Sequence, residues 1–242
     1  MSGLHELHYF DFDRGGRAFA LRAALHAAKQ EYKDIRFTFG EFQELKKKGK
    51  YTTGVPLLKL PSGREVTQSG AILRYIGKMG GLYPSDFEAA LICDSIIDTI
   101  QDLMGKTPGH DDLDEKKRLR QEYAAGRMKD YCKVLENTCV GPYAAGDEFS
   151  IADLKIFFLT DMVCTPTCLW FIWKIFYEKH THTYIFYCKC NWLQVMTGNF
   201  DHVPADYFMQ NQFNKLLELD NRIRVHPVIV EYCEALDIDL SL

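Results

Sequence analysis

The sequence predicts an α/β domain over residues 1–82 and an all-α domain over residues 86–242. Strand-like and helix-like segments alternate as far as the linker at residues 80–84, which reads Gly-Gly-Leu-Tyr-Pro. Beyond that linker, apolar residues recur at the three-to-four-residue spacing of helices. A chain of 242 residues is long enough to bury a core in each of two such domains.

The N-terminal elements follow in an order that indicates a mixed sheet. The predicted strands cover residues 4–10, 35–39, 55–60 and 65–67. The last two flank the turn Pro61-Ser62-Gly63-Arg64, which predicts a hairpin. The predicted helices cover residues 17–29 after a Gly-rich turn, 41–48 as a weak helix or loop, and 69–79 with glycines at the C-terminus.

The C-terminal half contains only helix signals. The predicted helices cover residues 86–105, 113–136, 150–162 and 225–236, the last with Pro227 in its first turn. Ser150-Ile151-Ala152-Asp153 resembles a capping box, because Ser150 can accept an amide proton while Asp153 reaches back.

Charge and cysteine usage exclude several functions. Lys and Arg number 29 against 33 Asp and Glu, and there is no long basic run, so nucleic acid and anionic membranes are not expected partners. Neither a secretory leader nor a membrane-length apolar stretch is present, which favours a cytoplasmic protein. The first cysteine is Cys93, so the α/β domain cannot perform thiol–disulfide chemistry.

Residues 163–194 differ in composition from the rest of the chain. These 32 residues contain all three tryptophans, four of the eight cysteines, nine aromatic residues and no Gly, Ala or Asp. The C-x3-C and C-x-C spacings are not usual for a zinc site. The segment is therefore an anomalous insertion, either a real aromatic lobe near the active-site mouth or a translated intron whose removal joins Met162 to Val195.

Tyr9 and Arg17 form the first candidate site. Tyr9 ends the first strand, and Arg17 lies in the first turn of the next helix. A phenol and a guanidinium beside a helix N-terminus are well placed to stabilise an anion, although a core-packing tyrosine fits the same pattern.

Two further candidates lie at element ends. Pro56 cannot donate a backbone hydrogen bond, so it is either an edge-strand proline or part of a cis peptide that turns backbone groups toward a peptide-like ligand. Ser69, after Gln68, is expected to be a helix N-cap, either as structure alone or as an end that binds a carboxylate.

Asp94, Asp98 and Asp102 recur every four residues and therefore share one face of a helix, beside Gln101. Like charges at this spacing repel by a few tenths of a kcal/mol per pair, so some contact is expected to offset them. A solvated face and a site for a cation or ammonium group both fit.

Taken together, these elements resemble a cytosolic glutathione transferase. The tract LHYF…GRA…GVPLLKL…TQSGAILRYIG is most similar to the sigma class, which includes haematopoietic-type prostaglandin D synthases and S-crystallins. The resemblance covers nearly the whole chain apart from residues 163–194. It implies a thioredoxin-like N-terminal domain, an all-helical C-terminal domain, glutathione as co-substrate, no metal and a homodimer.

The resemblance also implies roles for individual residues. Tyr9 would be catalytic, hydrogen-bonding the glutathione sulfur, and Arg17 would support the thiolate. The residues implied to bind glutathione are Tyr9, Phe42 or its neighbour, Lys46 or Lys47, Val55, cis-Pro56, Gln68, Ser69 and, from the other subunit, Asp102. The residues expected to bind a small hydrophobic electrophile are Phe10, Phe12, Leu103 and Met104.

Three departures from the family pattern leave more than one function open. The turn between Tyr9 and Arg17 is two residues longer than in typical relatives, and Gly109 replaces the tryptophan of the prostaglandin synthases. Residues 163–194 are the third departure. Conjugation of glutathione to small hydrophobic electrophiles in detoxification is the first interpretation. A non-catalytic ligandin or crystallin-like protein and a prostaglandin D isomerase are the alternatives.

Overall fold

A computed structural model describes residues 3–12, 16–164, 203–204 and 206–238. Its strands are β1 (His5–Phe10), β2 (Tyr32–Phe37), β3 (Leu57–Lys59) and β4 (Glu65–Thr67). They form one sheet in the order β2-β1-β3-β4. β1 runs parallel to β2 and antiparallel to β3, and β3 and β4 form the predicted hairpin. The mixed sheet is confirmed.

The helices before and after the linker agree with most of the predicted ranges. They are α1 (Phe19–Ala27), α2 (Phe39–Lys47), α3 (Ser69–Gly80), α4 (Phe87–Gly105), α5 (Leu113–Tyr123), α6 (Lys129–Thr138), α7 (Ile151–Cys164), α8 (Tyr207–Gln210), α9 (Asn214–Arg224) and α10 (Pro227–Ala235). α8 and α9 were not among the predicted helices. A π-helical turn, Ala124–Met128, joins α5 to α6 without a break, and the single helix predicted there is therefore wound differently at its middle.

Two layers of helices enclose the sheet. α1 and α3 pack together against the sheet face that carries Leu7 and Tyr9. α2 covers the other face, where the Phe10 ring stacks on Phe39 with centroids 4.2 Å apart. α2 is a complete helix rather than a weak one, because Thr38 and Glu41 form a capping box at its start.

The buried arginine Arg22 on α1 ties three elements together. Its Nε donates to both carboxylate oxygens of Asp34 on β2, at 3.2 and 3.1 Å. Its Nη1 donates to the Phe12 carbonyl at 2.8 Å, and its Nη2 to the Phe10 carbonyl at 3.4 Å. These charge-assisted bonds hold the chain that follows β1 against the core.

The predicted capping box at the start of α7 is confirmed. Ser150 Oγ accepts from the Ala152 amide at 3.3 Å, and the Asp153 carboxylate accepts from the Ser150 amide at 2.8 Å. The other Asp153 oxygen accepts from the Ala144 amide at 2.8 Å. Burial raises the pKa of Asp153 to about 6, although these hydrogen bonds oppose the rise.

α7 lies at the middle of the helical half, in contact with α1, α4 and α9. It continues through Val163 and Cys164, and residues 165–194 of the predicted insertion lie outside the described residues. In the described ranges, no helix has both the length and the apolarity to cross a membrane.

We expect Asp153→Ala to lower the free energy of unfolding by roughly 2–4 kcal/mol, since the Ala144 and Ser150 amides would remain buried without an acceptor. Urea unfolding should show a lower midpoint with an unchanged slope. Asp147→Ala, an exposed aspartate in the same loop, is the control and should leave the midpoint in place. Equal midpoints for the two variants would contradict the assigned role.

Candidate active site

The Tyr9 hydroxyl is held at the start of α1. Its oxygen accepts a hydrogen bond from the Arg17 backbone amide at 2.9 Å, and the side chain is 6% exposed. Burial raises the pKa of Tyr9, while the Arg17 amide and the charges of Arg17 and Arg22 oppose the rise. The phenol therefore stays protonated at neutral pH. Because its oxygen already accepts from the backbone, its proton is free to point at a ligand.

Gly16 packs directly on this tyrosine. Its φ is +68°, a conformation that L side chains rarely adopt. A Cβ at this position would lie 2.8 Å from Tyr9 Cε1 and 3.0 Å from Tyr9 Oη. Both the backbone and the contact require glycine here, and the sequence had shown only a Gly-rich turn.

The structure confirms the cis peptide that one interpretation of Pro56 predicted, and it corrects the expected N-cap position of Ser69. The Val55–Pro56 peptide is cis. Ser69 is the first residue of α3 rather than its N-cap, and its Oγ donates to Gln101 Oε1 on α4 at 3.2 Å. Gln68 occupies the cap position with φ +77° and gives no side-chain hydrogen bond to the helix. The first backbone amides of α3 therefore receive no hydrogen bond from the Gln68 side chain. Free amides at a helix N-terminus can donate to a bound carboxylate.

The row of aspartates on α4 is paired with basic residues of the chain itself. Arg74 on α3 binds Asp94 at 2.6 Å and Asp98 at 2.8 Å, and Lys106 binds Asp102 at 2.8 Å. These contacts offset the predicted repulsion. Among the described residues, no three His, Cys, Asp or Glu side chains are grouped to hold a metal ion.

The predicted apolar residues separate into two sets. Phe10 and Phe12 are partly buried at the end of β1, with ring centroids 5.8 Å apart. Leu103 and Met104 lie within the core at 0% and 4% exposure. Their expected role in binding the electrophile stays a prediction. Apolar spacing marks the buried side of a helix, whether that side meets a pocket or a packed core.

The predicted glutathione contacts Phe42, Lys46 and Lys47 lie on α2. Phe42 is buried in an aromatic cluster, edge-on to Phe10 with centroids 5.1 Å apart and stacked on Phe37 at 5.8 Å. Lys47 binds Glu44 at 2.7 Å, whereas Lys46 is exposed in the last turn.

Lys155 on α7 was missed by the sequence reasoning. It is 1% exposed, and its Nζ lies 4.8 Å from the centre of the Phe158 ring. Burial, with the positive charges of Arg17 and Arg74, lowers the pKa of Lys155 to about 7, while Asp98 opposes this. The available signal was a lysine within the apolar run Leu154 to Leu159.

We expect Lys155→Met to raise the free energy of unfolding at pH 7 and below. The unfolded chain binds the Lys155 proton with a pKa near 10.5 and the folded chain with one of about 7, so the parent loses stability as the pH falls from 10.5 to 7. Each pKa unit corresponds to about 1.4 kcal/mol. Thermal unfolding should show a gain over the parent that is largest at pH 7 and vanishes toward pH 10.5.

Lys133→Met is the control for this measurement, since Lys133 is exposed on α6 and should show no such dependence on pH. A gain from Lys155→Met that is the same at pH 7 and pH 10 would show that the Lys155 amine is charged in the folded chain.

Comparison with known proteins gives a consistent picture. The models "Glutathione S-transferase, N-terminal domain" and "Glutathione S-transferase, C-terminal domain" match residues 5–78 and 98–170. Glutathione S-transferase P 10 of Caenorhabditis elegans is 32% identical over 157 residues, 63% of this chain and 72% of that protein. Glutathione S-transferase Mu 7 of Rattus norvegicus is 25% identical over 171 residues, 65% and 77% of the two chains.

The fold has counterparts among solved structures. A structure described as rat hPGDS complexed with a quinoline is similar with a TM-score of 0.69 and 20% identity, over 98% of each chain. This likeness confirms the expected thioredoxin-like N-terminal domain and helical C-terminal domain. With the two matched family models and the sequence relatives, it leads to one conclusion: the chain belongs to the glutathione S-transferase family.

Proposed function

We propose that this protein is a glutathione transferase that joins the glutathione thiolate to small hydrophobic electrophiles. The observation that carries the proposal is the Tyr9 hydroxyl, which accepts from the Arg17 amide and keeps its own proton for a ligand. A buried, protonated phenol in this position is a hydrogen-bond donor to an anion and not a base.

The magnitude of this hydrogen bond is sufficient for the chemistry. One hydrogen bond to a charged group is worth about 1.5–3 kcal/mol, which lowers the pKa of the accepting thiol by about one to two units. A free thiol with a pKa near ~8.5 then becomes largely thiolate at neutral pH. Tyr9 holds the sulfur anion while it attacks an electrophilic carbon, and the Arg17 charge supports the anion.

Other residues are proposed to hold the rest of glutathione. The uncapped start of α3, with Gln68 and Ser69, receives the γ-glutamyl carboxylate, and the backbone of Val55 beside Pro56 pairs with the cysteinyl unit. Lys46 receives the glycyl carboxylate. Phe10 and Phe12 line the entrance for the electrophile.

We also propose a homodimer, in which Asp102 meets the γ-glutamyl ammonium of the partner subunit. Asp102 is exposed, so a second chain can reach it. Phe87 and Leu91 on α4 are 92% and 70% exposed, and Tyr75 and Met79 on α3 are also exposed. Covering such an apolar surface favours association.

The transferase class, the domain boundaries and the cellular compartment are proposed from the sequence. The tract LHYF…GRA…TQSGAILRYIG supports the sigma class, whereas the relatives named above carry P and Mu names. We assign residues 1–82 to glutathione binding and 86–242 to electrophile binding, with 163–194 as an insertion, and we place the protein in the cytoplasm.

We expect Tyr9→Phe to keep glutathione binding nearly unchanged and to lower turnover about 10- to 100-fold at neutral pH, because one hydrogen bond to the thiolate is lost. The ultraviolet absorbance of the bound thiolate should titrate one to two pH units higher. Tyr143→Phe, which removes a hydroxyl near the start of α7, should change neither measurement. Unchanged turnover in Tyr9→Phe would refute the assignment of Tyr9.

Two assays on the unmodified protein distinguish an enzyme from a protein that binds glutathione without turnover. Retention on immobilised glutathione with conjugation of 1-chloro-2,4-dinitrobenzene supports the transferase. Retention without conjugation would instead indicate a ligandin or crystallin-like protein. Failure to bind the resin would contradict both interpretations.

We expect Gly16→Ala to lower kcat at least ~10-fold, since the added methyl group would displace the Tyr9 ring. Gly63→Ala is the matched control. Gly63 has φ +85°, but within the described chain nothing lies within 4 Å of the place that a Cβ would take there. Both variants should lose about 1 kcal/mol of stability from the positive φ, and only Gly16→Ala should lose turnover. Equal turnover in the two variants would show that Gly16 does not position Tyr9.

A further inference from the structure

Phe39, the first residue of α2, is an aromatic residue that the proposed chemistry at Tyr9 does not use. Its ring stacks on Phe10 with centroids 4.2 Å apart and lies 5.7 Å from Phe12. The side chains of Phe10, Phe12 and Phe39 are only partly buried, so part of each remains at the surface. The three rings therefore form one aromatic cluster between the end of β1 and the start of α2.

This cluster lies next to the Tyr9 hydroxyl. The Phe12 ring is edge-on to the Tyr9 ring, with centroids 6.3 Å apart. A Cβ on Gly16 would lie 3.0 Å from Tyr9 Oη and 3.1 Å from Phe12 Cδ2, so the hydroxyl and the edge of the Phe12 ring border the same residue. A sulfur that accepts a hydrogen bond from Tyr9 is therefore close to the Phe12 ring.

The backbone that carries Phe12 is held by hydrogen bonds. The Phe12 carbonyl accepts from Arg22 Nη1 at 2.8 Å, and the Phe12 amide donates to the Phe10 carbonyl at 2.9 Å. The amide of the preceding residue, Asp11, donates to the Phe37 carbonyl at 3.1 Å. A surface that is fixed before a substrate arrives has little conformational freedom to lose on binding, so its shape can select among substrates.

The ring angles leave room for stacking on Phe12. The rings of Tyr9, Phe10 and Phe39 meet the Phe12 ring at 73°, 40° and 53°, so none of these three neighbours lies parallel to it. A flat ring placed parallel to Phe12 would be tilted by that same 53° to Phe39. Offset-stacked and edge-to-face pairs gain more than the burial of apolar area alone, and an alkyl chain lacks this gain.

We propose that Phe12 and Phe39 form an aromatic subsite, so that the enzyme prefers electrophiles with a planar aromatic ring on the carbon that reacts. Phe12 stacks on the substrate ring beside the sulfur, and Phe39 contacts the same ring from α2. The inference rests on the proposed transferase function and narrows its substrate class.

A matched pair of unsaturated ketones tests the preference. trans-4-Phenyl-3-buten-2-one and trans-3-nonen-2-one carry a phenyl ring and a pentyl chain on the reacting carbon. In both, the thiolate sulfur bonds to the β carbon, the α carbon takes up a proton and no group leaves. For each ketone, kcat/KM is divided by the rate constant of the uncatalysed addition of glutathione.

The phenyl-to-pentyl ratio should exceed one in the parent and fall roughly 2- to 10-fold in Phe12→Leu and in Phe39→Leu, the effect of one aromatic pair. Phe39→Tyr, which keeps the ring, should keep the parent ratio. Because both ketones react with the same glutathione, an effect of these substitutions on glutathione binding cancels in the ratio.

The control is Phe149→Leu, because the Phe149 ring also stacks on a neighbour, His226, with centroids 3.9 Å apart, but lies in the helical half. This variant should keep the parent ratio. A parent ratio of one or below, or an unchanged ratio in Phe12→Leu or Phe39→Leu, would overturn the inference. Conjugation of both ketones would still support the transferase function, so the two proposals can fail separately.

Calorimetry tests the subsite without turnover. The probes are S-benzylglutathione and S-hexylglutathione, which carry the same phenyl ring and pentyl chain on the carbon bound to sulfur. The preference for the benzyl probe, measured as the ratio of the two Kd values, should fall roughly 2- to 10-fold in Phe39→Leu and persist in Phe149→Leu. A parent that binds neither probe, or an equal preference in the parent and Phe39→Leu, would overturn the inference. The expected preferences in a parent that conjugates neither ketone would support the subsite and contradict the transferase function.

Discussion

The buried guanidinium of Arg22 is the interaction on which the active-site half depends. It extends from α1, binds the Asp34 carboxylate of β2 and donates to the carbonyls of Phe10 and Phe12. Burying a charge is costly unless its hydrogen bonds are made. Here those bonds form only if the backbone from Phe10 to Phe12 follows a path that brings its carbonyls to the guanidinium. That path begins one residue after Tyr9, so the position of the Tyr9 hydroxyl depends on the bonds that Arg22 makes to the neighbouring backbone.

Burial also shifts the pKa values of two ionisable side chains, Tyr9 and Lys155. Burial raises the pKa of Tyr9 and lowers that of Lys155, and in both cases the neutral form gains. A neutral phenol can donate a hydrogen bond to a sulfur anion. The charge of Arg17 acts on the pKa of both groups.

The sequence was sufficient for the fold because local patterns determine it. The β3–β4 hairpin, the glycines that end α3 and the Ser150 cap of α7 each follow from neighbouring residues. Some misses were local, such as α9 and the capping box of Thr38 and Glu41 that makes α2 a complete helix. Others depend on contacts that the local pattern does not show. Ser69 is the first residue of α3 because the helix begins one residue earlier than expected, and its hydroxyl donates to Gln101, which lies 32 positions away. Leu103 shows the same apolar spacing whether it meets a ligand or the core.

The distant pairs also connect the proposed site to the helical half of the chain. Ser69 on α3 bonds to Gln101 on α4, and Arg74 on α3 binds Asp94 and Asp98 on α4. The uncapped amides at the start of α3 are thus held in place by the helical half, while Tyr9 is held by the sheet. A ligand that contacts both must fit the spacing between them. That spacing is set within the N-terminal domain, where α1 and α3 pack together against the sheet face that carries Tyr9. The polar bonds from Ser69 and Arg74 then determine how α3 meets α4 of the helical half, because hydrogen bonds and ion pairs are directional.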